Sequence, residues 1–92
     1  MDTMLTMLKT DLGIRTLTAY DERLRQLLTA AKDAIIGEGA SDLDASDPLD
    51  QQLIVMYAAW LWRKRDEMPG MPRMLRLALN NRVFSRAVKD DA

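Results

Sequence analysis

The sequence predicts a small all-α domain, a bundle of about four helices around one central apolar helix at residues 48–66, and three observations carry that prediction. Residues Leu53 to Trp62 are apolar without interruption, directly after the helix-start sequence Asp47-Pro48-Leu49-Asp50. Residues Tyr20, Leu24, Leu27, Leu28, Ala31 and Ile35 recur at helical spacing, which places them on one stripe. No stretch alternates apolar and polar residues as a half-buried strand does. The 92 residues are enough for one domain with a modest core.

In chain order, Thr3 is placed to cap a first helix through Leu12, with Met4, Leu5, Leu8 and Leu12 on its buried side. Gly13 is suited to end it in a left-handed turn. After the connection Ile14-Arg15-Thr16-Leu17, Thr18 and Asp21 have the spacing of a capping box, with Asp in place of Glu, so a second helix is expected to start there. It runs to about Ile36, where Gly37 and Gly39 stop it. Residues Gly37 to Ser46 mix Gly, Ser, Ala and Asp without a period and read as an acidic loop.

The central helix takes its start from Asp47 as cap, Pro48 at the first helical position and Asp50 as negative charge in the first turn. Its ten apolar residues are half of what a bilayer span needs, roughly 20, and Arg63, Lys64 and Arg65 follow at once, so the expected environment is a protein core on all sides. Trp60 and Trp62 lie two residues apart and point in nearly opposite directions, so one is expected in the core and the other under the last helix or at a subunit contact. Met68-Pro69-Gly70-Met71-Pro72 breaks the chain, and Pro72 can open a further helix through Met74, Leu75, Ala78 and Leu79. The methionines Met68, Met71 and Met74 are read as core filler around that turn. Val83, Phe84, Ala87 and Val88 either continue this helix past Asn80-Asn81 or form a separate tail segment.

Composition excludes several chemistries. There is no cysteine and no histidine, which removes disulfides, thiolate or imidazole metal sites, and nucleophiles backed by His. No glycine-rich phosphate loop is present, and the neighbouring carboxylates Asp47 and Asp50, or Asp42 and Asp44, fall on a helix cap and a Gly/Ser loop. The expectation is a protein without catalytic activity or cofactor. The N-terminal residues lack the basic and long apolar regions of a secretory signal, so folding in the cytoplasm, with no membrane partner, is expected.

The net charge of -1 conceals a split. Residues 1–62 hold five Lys or Arg against ten Asp or Glu, and residues 63–92 hold eight against four. One half is therefore acidic and the other basic, a pattern that suits a contact between neighbouring copies of the chain. In that contact Arg63, Arg65, Arg73 and Arg76 meet Asp42, Asp44, Asp47 or Asp50 of the next subunit, and Trp62 and Arg82 join the candidate interface residues.

Taken together, the order of features resembles the small head-tail connector proteins of tailed phages and prophages, also called head-completion or adaptor proteins. The resemblance covers nearly the whole chain. It rests on a first helix ending in Leu12-Gly13-Ile14, and on the second-helix pattern Asp21, Leu24, Leu27, Leu28, Ala31, Ile35. It continues through the Asp47-Pro48-Leu49 opening of an apolar helix closing on Trp62, Arg63 and Arg65, and through Met71-Pro72-Arg73-Met74-Leu75 leading a last helix that ends near Arg82. The resemblance implies a homo-oligomeric ring beneath the portal protein at the capsid vertex, which extends the DNA channel and docks the stopper or tail-completion protein. It also implies assembly in the bacterial host cytoplasm, a place in the finished virion, and contact with DNA only in passage.

The alternative is a small helix-turn-helix regulator, with Met68 to Asn81 as turn and recognition helix and Arg73, Arg76, Asn80, Asn81 and Arg82 reaching phosphates or bases. A pI near 5.3 and a two-proline turn count against it.

Overall fold

In the computed structural model, which describes residues 2–64 and 70–91 and the side chains of 3–64 and 70–86, the chain forms four helices. They are α1 (Asp2–Leu12), α2 (Asp21–Gly37), α3 (Pro48–Lys64) and α4 (Arg73–Asp91). The protein is all-α, and no strand occurs among the described residues.

The first helix closes as the sequence predicts. Gly13 takes φ +75°, the amide of Ile14 donates to the carbonyl of Lys9 at 2.9 Å, and the amide of Gly13 donates to that of Thr10 at 3.2 Å. Two carbonyls that the helix end leaves open are thereby satisfied, and only glycine takes that left-handed position without steric cost. The second helix closes by the same device one step later than expected. Gly37 is still helical, and Gly39, at φ +128°, makes the turn, with Ala40 reaching back to Ile35 and Gly39 to Ile36. A Cβ on Gly39 would stand 2.9 Å from a methyl of Val83, so this turn is also where α4 comes down on the end of α2. Gly39→Ala is therefore expected to destabilise the fold by about 1–2 kcal/mol through backbone strain, with the Val83 clash added. Gly37→Ala, in an open helical position, should stabilise by roughly 0.5–1 kcal/mol. Thermal unfolding of the two variants checks the opposite signs.

The start of α2 departs from the sequence prediction. Thr18 does not cap the helix; Tyr20 occupies that position without a side-chain cap, and helical structure begins at Asp21. The physical reason lies outside the local pattern. The Asp21 carboxylate that a capping box would turn back toward Thr18 is held by Lys9 of α1 at 2.8 Å, and both side chains are largely buried. Asp21 and Glu22 still put negative charge in the first turn, where the helix dipole favours it.

At α3 the predicted cap is present: Asp47 Oδ2 accepts from the amide of Asp50 at 3.2 Å. This helix touches each of the other three, and Leu53, Ile54, Val55, Tyr57, Ala58 and Ala59 are buried in the core with Leu8, Leu24, Leu28, Ile35 and Leu79. It is not wrapped on all sides, contrary to the expectation from its ten apolar residues. Met56 and, at the entrance, Leu49 face outward, because α4 leaves part of this side of α3 uncovered.

The last helix is continuous from Arg73 to Asp91, which settles the choice left open at Asn80-Asn81. Pro72 provides the carbonyl that accepts the amide of Arg76, and Leu75 and Leu79 turn into the core. Met74, placed on that buried stripe by its spacing, points outward instead and is 73% exposed. As for the other two methionines of the turn, Met71 is half-buried against the core, and Met68 lies outside the described residues.

Candidate functional site

The most connected polar site is a clasp between the α2–α3 loop and α4. Arg82, on the inward side of α4, donates from Nε to Asp50 Oδ1 at 2.7 Å and from Nη2 to Asp50 Oδ2 at 3.2 Å. Its remaining reach goes to the loop, with Nη2 on the Asp42 carbonyl at 3.2 Å and Nη1 paired to the Asp42 carboxylate at 3.0 Å. Asp50 is 4% exposed, and its Oδ2 also accepts from the Asp44 amide at 2.9 Å. A guanidinium suits this place because its planar fork engages one carboxylate with two donors and still has others for the loop. The Asp50 and Asp42 carboxylates hold the Arg82 pKa above its ordinary value, against the opposing effect of burial.

Around this pair the loop is ordered by its own side chains. Asp44 Oδ1 accepts from the Ser46 amide at 2.9 Å and from the Ser46 hydroxyl at 2.6 Å, which holds the Asp44 carboxyl below its ordinary value. Gln51 reaches back to the Ala45 carbonyl, and Arg86 donates to the Ser41 hydroxyl at 2.9 Å. Because the Asp44 pKa is lower in the folded chain, its contribution is present at neutral pH and fades as pH falls through the acid range. Ser46→Ala should raise the Asp44 titration back toward the ordinary carboxylate value. A carboxyl carbon NMR titration reads this directly, and an unmoved midpoint would contradict the Ser46 assignment.

Asp50 and Arg82 thus belong to the interior of one chain. The sequence places both at a contact between subunits; the structure satisfies them within the chain, and of the other carboxylates of that set Asp42 is exposed but paired with Arg82, Asp44 is exposed and Asp47 is half-buried. The basic residues divide similarly. Arg63 pairs with Asp11 at 3.5 Å and Arg76 with Glu38 at 3.6 Å, both in exposed settings where such pairs contribute about 0–1 kcal/mol. Arg73 is exposed at the start of α4, and Arg65 lies outside the described residues. Trp62 is half-buried with its ring edge-on to Tyr20 at 5.3 Å, so it fastens the α1–α2 connection to the end of α3. Trp60 stands edge-on to Tyr57 and carries Lys64 over its face at 4.7 Å, while its Nε1 is buried with no acceptor among the described residues.

The candidate recognition helix of a DNA-binding regulator has one of its cations held within the chain and another beside an exposed carboxylate. Arg82 is turned inward to Asp50, and Arg76 faces Glu38. No group of His, Cys, Asp or Glu placed to hold a metal ion occurs among the described residues. No described helix is long and apolar enough to cross a membrane.

Two features of the site have no local signal in the sequence. The Asp50–Arg82 pair joins residues 32 positions apart, and Lys9–Asp21 joins two helices. The acidic loop and the basic start of α4 sit toward opposite ends of α3, which is about 24 Å long between Pro48 and Lys64. No family model, no curated protein and no solved structure matches this chain.

Proposed function

We propose that the chain is a structural subunit of a phage head-tail connector, a ring-forming adaptor beneath the portal. In this role it extends the DNA channel and offers a docking surface to the stopper or tail-completion protein. The observation that supports it most is the combination of element order and charge polarity. Four helices follow one another as the resemblance implies, and an acidic end around Asp44 and Asp47 is carried away from a basic end around Arg63 and Arg73 by the length of α3. A head-to-tail ring needs two different, complementary patches on each subunit, and this polarity provides such a pair. The role requires neither cofactor nor catalytic residue. It places the working protein at the head-tail junction of the virion, after assembly in the host cytoplasm, with DNA sliding past rather than held. The inward pairing of Arg82 suits a conduit for DNA, since tight backbone binding requires several phosphate contacts.

Co-sedimentation with the portal ring encoded in the same genome tests the proposal. The expected result is a stable complex that persists when DNA is absent. Failure to bind the portal, combined with DNA affinity that falls steeply as salt rises, would replace it with a regulator.

A further inference from the structure

The side of α3 left uncovered forms the floor of a groove. Leu49, Met56 and Trp60 lie along it, with Met7 and Asp11 of α1 on one wall and Ala78 of α4 on the other. Leu49 is 75% exposed and Met56 stands open at the centre, unusual for a helix that is otherwise the core of the protein. On the far side of α4 is a ridge with the opposite shape. Arg73, Leu77 and Phe84 fall on one face of that helix, and Phe84 is 70% exposed, whereas Met74 lines the groove.

We infer that the groove over α3 receives the outer face of α4 from a second copy of this chain. Spacing, charge and closure identify the occupant. Leu49 and Met56 are seven residues apart on α3, as are Leu77 and Phe84 on α4, so each pair spans two helical turns, about 10 Å, and one set can interdigitate with the other. The Leu49 end of the groove is flanked by Asp44 and Asp47, and the Leu77 end of the ridge carries Arg73 one turn away. Laying the ridge along α3 in a parallel sense brings these opposite charges together, which fixes direction as well as partner. Groove and ridge lie on different parts of one subunit, so the contact is heterologous. Repeating it leaves a free groove and a free ridge at each stage until a ring closes. The inference rests on the ring-forming reading in one respect, that the occupant is another copy of the chain.

The test uses two surface variants, Met56→Arg to block the groove and Phe84→Asp to block the ridge, followed by sedimentation velocity over a wide concentration range. Wild type should assemble, and each variant alone should sediment as a monomer. An equal mixture of the two should form a dimer that grows no further, because only one intact groove and one intact ridge remain to meet. Circular dichroism melts confirm that the variants are folded; if either is not, Leu49→Asp and Leu77→Asp replace them at the same two surfaces. A monomeric wild type, a variant that assembles like wild type, or a mixture that stays monomeric overturns the inference. Portal co-sedimentation separates this result from the connector reading. Portal binding by a chain that never self-associates overturns the α4-in-groove contact alone, while self-association through these surfaces without portal binding overturns the connector reading alone.

Discussion

Replacing Arg82 with methionine is expected to lower the unfolding free energy by about 3–5 kcal/mol, a large share of what a domain this small possesses. The cost comes from what is left behind. Asp50 is buried, and its two oxygens are bound by Arg82 and by the Asp44 amide, so removing the guanidinium strands a carboxylate in the interior. Its environment lacks the water that would otherwise stabilise the charge. Replacing both partners, Arg82→Met with Asp50→Leu, should recover much of the loss, because no buried charge then remains, although the Asp44 amide still loses its acceptor. The same pair should respond little to salt, since buried charges are poorly screened. The raised Arg82 pKa acts in the alkaline direction. Its contribution is complete below the ordinary arginine value and lost only as pH rises through the still higher folded value, so it stays constant across neutral pH. Urea unfolding of the single and double variants measures the coupling. A single variant within about 1 kcal/mol of wild type would mean that Asp50 is solvated and that the clasp does not hold α4 to the loop.

The second large effect separates two residues of one helix. Ile54 is fully buried at the centre of α3, and Ile54→Ala should cost about 3–4 kcal/mol from lost burial and the cavity it leaves. Met56, two positions on, faces the open groove, and Met56→Ala should cost less than about 1 kcal/mol in the isolated chain. Denaturant midpoints of the two variants make the comparison. Equal, large losses would mean that α3 is enclosed on every side, as its unbroken apolar run suggests when read without the structure.

That run shows how far local pattern reaches. Apolar residues from Leu53 to Trp62 identify a helix in the core, and Asp47-Pro48 identifies its start, because both signals lie within one or two helical turns. Gly13 is legible for the same reason: a left-handed residue after Leu12 is a local requirement. Spacing on α2 likewise gave its buried face, with Leu24, Leu27, Leu28, Ala31 and Ile35 all in the core and only Tyr20 displaced to the position before the helix. What the pattern omits are the competitors. Thr18 and Asp21 have the spacing of a cap, but Lys9 from another helix takes the carboxylate. Met74 has the spacing of a core residue, but the side of α4 that packs inward is the one carrying Leu75, Leu79, Arg82 and Val83, and Met74 falls at its edge. Residues that look alike in sequence, such as Asp47 and Asp50, part ways for this reason. Asp47 is a half-buried helix cap, and Asp50 is the buried anchor of a residue 32 positions further on. Charge counts by half-chain located the acidic and basic regions but could not identify which members neutralise each other within the subunit.

The most direct measurement is native mass spectrometry of the purified protein over a range of concentrations at low salt, with and without a short DNA duplex. A connector subunit that docks α4 into its neighbour's groove should appear as one large closed oligomer whose mass is unchanged by the duplex. A dimer that takes up DNA would contradict it and would place the exposed cations of α4 in a nucleic-acid interface instead.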